Sequence, residues 1–392
     1  KSFLWIPVTT EAPGSVRFFR AVQLLAAEGD PVVPPVVAIA DDNGRYYVTF
    51  YDEGGFTELL EIARLNGNSR GAAVGDFDRD GVDDLVFGGN GSGNVIQPFF
   101  FKGLPDKTYA APVAMLVTPN SGGYMMGAVA GDFDADGRLD VLANGNSGTV
   151  GAYWGNGDGT FVQQTLTWPG NGRAMDGGDF NEDGYFDIVR ATYGDGIVRL
   201  YLSNDDRTFT EAPQVVGDAG GDPYGLAAGD FDEDGHLDVL VNEGASGSIT
   251  LFSGLGDGTF AAGVAVPELD IDNHAAFNTY DFDGDGHLDI VLTAYSARMN
   301  YFWPGNGDGT FGARVDLPGR PAGNALGLST PLLPEPLDSA IQPFEPVVAL
   351  NEELVLQADG ADVTAGDSVE WTFGDGATDE GVTVGHAWGQ EG

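Results

Sequence analysis

Short apolar runs follow one another along most of this chain, each about one strand long and each stopped by Gly, Asp or Asn. Five of them begin on an aspartate: Asp84-Leu85-Val86-Phe87, Asp140-Val141-Leu142, Asp187-Ile188-Val189, Asp238-Val239-Leu240-Val241 and Asp289-Ile290-Val291-Leu292. Runs of this length and composition, bounded by turn residues, predict strands. Each is followed by an aromatic run, a Gly/Asp turn and a Thr-Phe pair. Examples are Tyr153-Trp154 to Thr160-Phe161, Leu200-Tyr201 to Thr208-Phe209, Leu251-Phe252 to Thr259-Phe260, and Tyr301-Phe302-Trp303 to Thr310-Phe311; residues 98–109 hold a looser version. These read as hairpins with glycine at the positions of positive φ. One unit then contains four strands, expected in one case at 224–231, 238–243, 248–253 and 260–266. Four short antiparallel strands in about 50 residues make one blade of a β-propeller, so the fold class is all-β.

A nine-residue pattern, D-x-[DN]-x-D-G-x-x-D, precedes the apolar runs. Its copies start at Asp76, Asp132, Asp179, Asp230 and Asp281, at intervals of 56, 47, 51 and 51 residues. Acidic side chains at alternate positions converge on one point, as a hard cation with six to eight oxygen ligands requires. The glycine at the sixth position permits a sharp turn. The expected ligands are Asp76, Asp78, Asp80, the Val82 carbonyl and Asp84; Asp132, Asp134, Asp136, the Arg138 carbonyl and Asp140; and Asp179, Asn181, Asp183, the Tyr185 carbonyl and Asp187. The last two sets are Asp230, Asp232, Asp234, the His236 carbonyl and Asp238, and Asp281, Asp283, Asp285, the His287 carbonyl and Asp289. About five calcium ions are therefore expected. An EF-hand is excluded, because Phe87 stands where its twelfth-position Glu belongs and no amphipathic helices flank the loop. The plainer reading is an acidic turn that binds nothing. Fivefold repetition argues against it, since crowded carboxylates repel one another and a cation relieves this. The phenylalanine after each first aspartate (Phe77, Phe133, Phe180, Phe231, Phe282) is expected in the core.

The net charge is -43, and the lysines are Lys1, Lys102 and Lys107. So acidic a surface argues against nucleic acid and anionic membrane as partners. No apolar run approaches the length needed to span a bilayer, so no membrane insertion is expected. With no cysteine, metal is the evident staple, and weak acidic calcium loops favour an extracellular or cell-surface address. Lys1 reads as a processed or cloned start.

Residues 15–65 also fit a blade, without an acidic loop. Val22–Asp30 matches the run ending at Asp230, and Tyr46–Phe56 matches the aromatic hairpin. That makes six blades from 15 to 317. Residues 322–332 and 2–10 together would complete a seventh from both ends of the chain. A seven-bladed propeller over 1–333 is therefore expected, with six blades the alternative. A Pro-rich linker at 334–341 and a different unit at 342–392 would follow.

The repeated loops and strands resemble the FG-GAP/VCBS family, whose calcium-bearing blades also occur in integrin α-subunit propellers. The resemblance covers about 70–317, more weakly 1–332, and implies that the aspartates named above, with Asn181, are calcium ligands. Trp371-Thr372-Phe373-Gly374-Asp375-Gly376 with His386 resembles a PKD domain, which implies an Ig-like β-sandwich, here incomplete.

No catalytic series, zinc spacing or phosphate loop is visible. His236 and His287 are expected to face solvent, and His386 to lie in the sandwich core. A ligand site would lie where the chain enters the inner strands, at Arg70, Tyr124, Arg173, Tyr224 and His274. These residues differ between blades, which disfavours a lectin repeating one pocket. The expected function is non-catalytic: adhesion, extracellular assembly or glycan binding, with another extracellular protein, a second copy or a glycan as partner. The alternative is a polysaccharide-active, lyase-like enzyme using His274, Tyr124 or Tyr224 as base.

Overall fold

A computed structural model describes residues 35–318 except 42, 53, 66–70, 92–94, 123–124, 205, 213, 219–222, 243–246, 270–274 and 295–297. It also describes the strand segments 2–8, 18–25, 325–329, 353–357, 368–372, 378–380 and 383–387. The chain divides into two compact units, Val33–Leu332 and the pair Lys1–Val32 with Leu333–Gly392.

Among the described residues the larger unit is a propeller of six antiparallel sheets. Blade II runs from its inner strand outward as Ala72–Gly75, Asp84–Phe87, Phe99–Phe101 and Val113–Ala114. Blade III is Met125–Gly131, Asp140–Gly145, Thr149–Gly155 and Phe161–Thr167; blade IV is Asn171–Gly178, Asp187–Tyr193, Ile197–Ser203 and Phe209–Glu211. Blade V is Leu226–Gly229, Asp238–Asn242, Ile249–Phe252 and Val264–Ala265; blade VI is Ala275–Tyr280, Asp289–Ala294, Met299–Trp303 and Val315–Asp316.

Blade I joins two distant stretches. Its outer strands are Val36–Asp41, Arg45–Asp52 and Leu60–Arg64, while Ala325–Ser329 pairs antiparallel with Val36–Asp41, Leu328 opposite Ile39. Two expectations are corrected here. The propeller has six blades, and 325–329 completes the first of them instead of starting a seventh with 2–10. The run Val22–Asp30 is not the inner strand of that blade. The physical reason is that one inner position was vacant, and only a strand arriving from the other end of the ring can fill it without leaving an open edge.

In the smaller unit, Ser2–Val8, Phe18–Leu25, Ser368–Thr372 and Thr378–Glu380 form one sheet in that order, and Glu353–Gln357 pairs with Thr383–Ala387. The expected Ig-like sandwich is not visible among the described residues, and the linker 334–341 and residues 373–376 lie outside them.

The propeller has six hydrophobic cores, one in each seam between blades, because side chains on successive strand positions face opposite seams. In blade II, Leu85 and Phe87 face blade I, and Val86 faces blade III. All five loop phenylalanines are buried, as expected, and each lies in the seam with the next blade. There each meets an aromatic ring of that blade's outer hairpin: Phe77 meets Phe161, Phe133 Phe209, Phe180 Phe260, Phe231 Phe311 and Phe282 Phe56, at centroid distances of 5.6, 6.3, 5.8, 6.0 and 5.3 Å.

Inner strands are also tied by polar contacts. The Asp176 carboxylate of blade IV accepts from the Ala228 amide of blade V at 2.9 Å, and the Thr279 hydroxyl of blade VI donates to the Ala228 carbonyl at 3.1 Å. Burial pushes the Asp176 carboxyl up to about 6, against the pull of its two amide donors. A carboxyl raised this way holds its proton more tightly when folded. Its contribution to stability is full below the unfolded value near 4 and fades as pH rises through about 6. Water still reaches part of this side chain, which reduces the effect. The destabilisation caused by Asp176→Ala is therefore expected to shrink by about 1–2 kcal/mol between pH 4 and pH 7, read from paired denaturation curves. A pH-independent difference would refute the assignment.

Candidate metal loops at the blade junctions

Each acidic loop joins the inner strand of a blade to the second strand, so all five lie at the same end of the ring. Their backbone follows one scheme. The fourth position has positive φ in every copy (Arg79, Ala135, Glu182, Glu233 and Gly284, at 62, 52, 56, 56 and 73°), and so does the sixth-position glycine. The first aspartate accepts two loop amides. Asp76 takes those of Asp80 and Gly81 at 3.0 and 2.8 Å, and Asp132, Asp179 and Asp230 repeat the arrangement, while Asp281 takes those of Gly284 and Gly286. The fifth-position aspartate accepts the seventh amide, as Asp80 does from Val82 at 3.0 Å. These bonds curl the loop so that its acidic side chains converge.

The ninth-position aspartates, Asp84, Asp140, Asp187, Asp238 and Asp289, are completely buried. In each, Oδ2 accepts from the amide of the loop phenylalanine at 2.8–3.2 Å. Oδ1 accepts from an amide at the end of the third strand (Gly103, Gly155, Ser203, Gly254 or Gly305) at 2.7–2.9 Å. One side chain thus clasps the loop, the second strand and the third strand. Burial, reinforced by the other loop carboxylates, pushes Asp84, Asp187, Asp238 and Asp289 up to about 7 and Asp140 to about 8, while the amides pull back. With both oxygens accepting from amides, the hydrogen bonds favour the ionised form while burial disfavours it. A cation in the loop removes the conflict by favouring the carboxylate.

In four loops three carboxylates offer oxygens within 4.8 Å of one another: Asp76, Asp78 and Asp84; Asp132, Asp134 and Asp136; Asp230, Asp232 and Asp234; Asp281, Asp283 and Asp285. Two oxygens support the fit of a metal directly. Oδ1 of Asp78 and Oδ1 of Asp134 are buried and accept no hydrogen bond, and the Asp134 side chain is only 6% exposed. Such an oxygen is costly to leave bare. The third loop differs, because the Asn181 amide donates to Asp183 at 2.9 Å.

Sequence reasoning missed the contacts between loops. His236 and His287 do not simply face solvent. His236 Nδ1 lies 2.5 Å from Glu182 Oε1, and His287 pairs in the same way with Glu233, each a contact from seventh position to the fourth position of the preceding loop. The next blade's hairpin also seats on each loop. The amides of Gly159, Gly258 and Gly309 donate to the carbonyls of Phe77, Phe180 and Phe231 at 3.2, 3.0 and 2.8 Å. A side chain at Gly307, where φ is 71°, would meet both His287 and Glu233.

Of the expected ligand face, Arg70, Tyr124 and His274 lie outside the described residues. Arg173 and Tyr224 come together at the start of the inner strands, the end opposite the loops. The Arg173 guanidinium stands 4.2 Å from the Tyr193 ring and 5.1 Å from the Tyr224 ring, and donates to Asn146 Oδ1 at 3.0 Å. Tyr193 was not anticipated. It is 44% exposed at the end of its strand.

Three stretches, 132–190, 179–241 and 281–330, match the FG-GAP-like repeat, and the chain carries such repeats in a β-propeller. The first loop lies outside them yet has the same clasp. No curated protein matches the chain. Among solved structures, a lectin from Agrocybe aegerita that recognises non-reducing terminal N-acetylglucosamine is similar at 17% identity over 74% of this chain and 82% of that one, with a TM-score of 0.43. A protein from Lactobacillus plantarum is similar at 14% identity over 90% and 97%, with a TM-score of 0.48. AofleA from Arthrobotrys oligospora is similar at 11% over 76% and 89%, with a TM-score of 0.45.

The clasp gives a direct test. Asp187→Asn replaces one accepting oxygen by an amide that faces a backbone donor. It is expected to destabilise the protein by about 2–3 kcal/mol at pH 7.5, measured by equilibrium denaturation. An unchanged midpoint would show that the clasp contributes nothing.

Proposed function

We propose that this chain is a secreted or cell-surface propeller whose acidic loops bind calcium, and that it works as a non-catalytic binding scaffold in adhesion, extracellular assembly or glycan capture. The observation that carries the calcium reading is the convergence of three carboxylates in four of the loops, with buried unpartnered oxygens on Asp78 and Asp134. Magnesium demands near-ideal octahedral geometry and keeps its waters, whereas calcium accepts the adaptable spacing of these carboxylates. Extracellular calcium is abundant enough to fill sites of modest affinity. Among the described residues no helix is long and apolar enough to cross a membrane.

In this reading the metal end of the ring is structural, and the partner binds at the other end. Arg173, largely buried between Tyr193 and Tyr224 and donating to Asn146, sets a cation beside the exposed Tyr193 ring on an otherwise acidic molecule. That chemistry suits an acidic glycan, whose carboxylates meet the guanidinium while its rings stack on tyrosine.

Calcium that binds only the folded state adds about 2.7 kcal/mol per site at a hundredfold excess over Kd. Chelation is therefore expected to lower Tm strongly, and added calcium, not magnesium, to restore it. A melting curve indifferent to chelator would remove the calcium reading. For the ligand face, Arg173→Ala is expected to weaken binding to immobilised acidic polysaccharide at least about tenfold while leaving the rise in Tm on adding calcium in place. Release of unsaturated sugar, followed by absorbance, would instead mark a lyase.

A further inference from the structure

The five loops share a backbone but not a charge environment. Building on the calcium reading, we propose that they form two classes, and that Lys102, Arg138 and Arg207 set the class by serving as tethered counter-cations in the first two loops.

The first loop carries its own cation. Lys102 directly precedes Gly103, whose amide clasps Asp84, and its ammonium contacts Asp78 and lies 2.5 Å from Asp80 Oδ2. The residues at the same place in the other blades, just before the clasping amide, are Trp154, Leu202, Ser253 and Pro304. None of them is charged.

The second loop is neutralised from two sides. Arg207 occupies the hairpin position held by Gly159, Gly258 and Gly309, with the same left-handed backbone (φ 66° against 75, 77 and 76°). From there its Nε reaches Asp134 Oδ2 at 2.6 Å. Arg138 folds back onto Asp136 of its own loop. The neighbouring loop explains why. A seventh-position histidine is held off its own aspartates by Glu182 or Glu233 at the fourth position of the preceding loop. The residue at that position before Arg138 is Arg79, which repels it.

The fourth and fifth loops therefore keep three carboxylates each, with no lysine or arginine contact to them among the described residues, and the basic residue at position seven is engaged elsewhere. The third loop has lost one carboxylate to Asn181. Calcium entering the first or second loop must displace an ammonium or guanidinium. Calcium entering the fourth or fifth meets unneutralised charge. Two loops bind tightly, then, and three weakly, so the metal holds the seams around blades V and VI first.

Titration of the metal-free full chain with calcium chloride by calorimetry tests this. The wild type is expected to show two tight sites and a weaker set. Lys102→Met should tighten one weak site at least about tenfold, and Arg207→Gly combined with Arg79→Glu should tighten another, each with an unchanged far-ultraviolet spectrum. The two sets of variants act on different loops, so misfolding of one leaves the other decisive. Five equivalent sites in the wild type, or variants that leave the isotherm unchanged, would overturn the two classes while leaving calcium binding intact. No heat of binding at all would remove the calcium reading beneath them.

Discussion

Five buried aspartates, each accepting two backbone amides, hold every acidic loop to the rest of its blade. Asp84, Asp140, Asp187, Asp238 and Asp289 each tie together the loop, the second strand and the end of the third strand. The two amide donors favour an ionised carboxylate in that position, and burial opposes ionisation. The other aspartates of the loop make the opposition stronger. The architecture thus contains a demand for positive charge at five regular places, in a chain whose net charge is -43.

That demand sits over the seams. Each loop packs its phenylalanine against the next blade's hairpin, and in three junctions accepts an amide from it. Whatever neutralises a loop therefore also steadies the contact between two blades. The protein uses different means at different seams: lysine and arginine at the first two loops, glutamate–histidine pairs that leave the carboxylates free at the fourth and fifth. Blade I has no such loop. It is held by strand pairing with 325–329 and by the Tyr46 hydroxyl donating to the Gly88 carbonyl of blade II at 2.8 Å.

The two ends of the ring are chemically distinct for a geometric reason. A strand has two ends, and the repeated aspartates occupy the same end of the inner strand in blades II to VI. The other end is free to vary from blade to blade, and there Arg173, Tyr193 and Tyr224 collect from two neighbouring blades.

The sequence by itself determined the parts that repeat. The all-β class, the four-stranded unit, the loops, the buried phenylalanines and the Gly-bearing hairpins all follow from local pattern, because turn chemistry and strand alternation act over a few residues. Its expected strands at 238–243 and 248–253 match Asp238–Asn242 and Ile249–Phe252 closely. Tertiary structure alone decided what depends on residues far apart in the chain. The segments 322–332 and 2–10 were expected to build a seventh blade together; instead 325–329 fills the inner position of blade I. The Glu182–His236 and Glu233–His287 pairs each span 54 residues, slightly more than one repeat, and only the packing of adjacent blades brings such positions together. Lys102 reads as an ordinary surface lysine until the clasp at Gly103 aims it at Asp78 and Asp80. Local chemistry writes the unit, but which units meet, and which charges they share, is set by closing the ring.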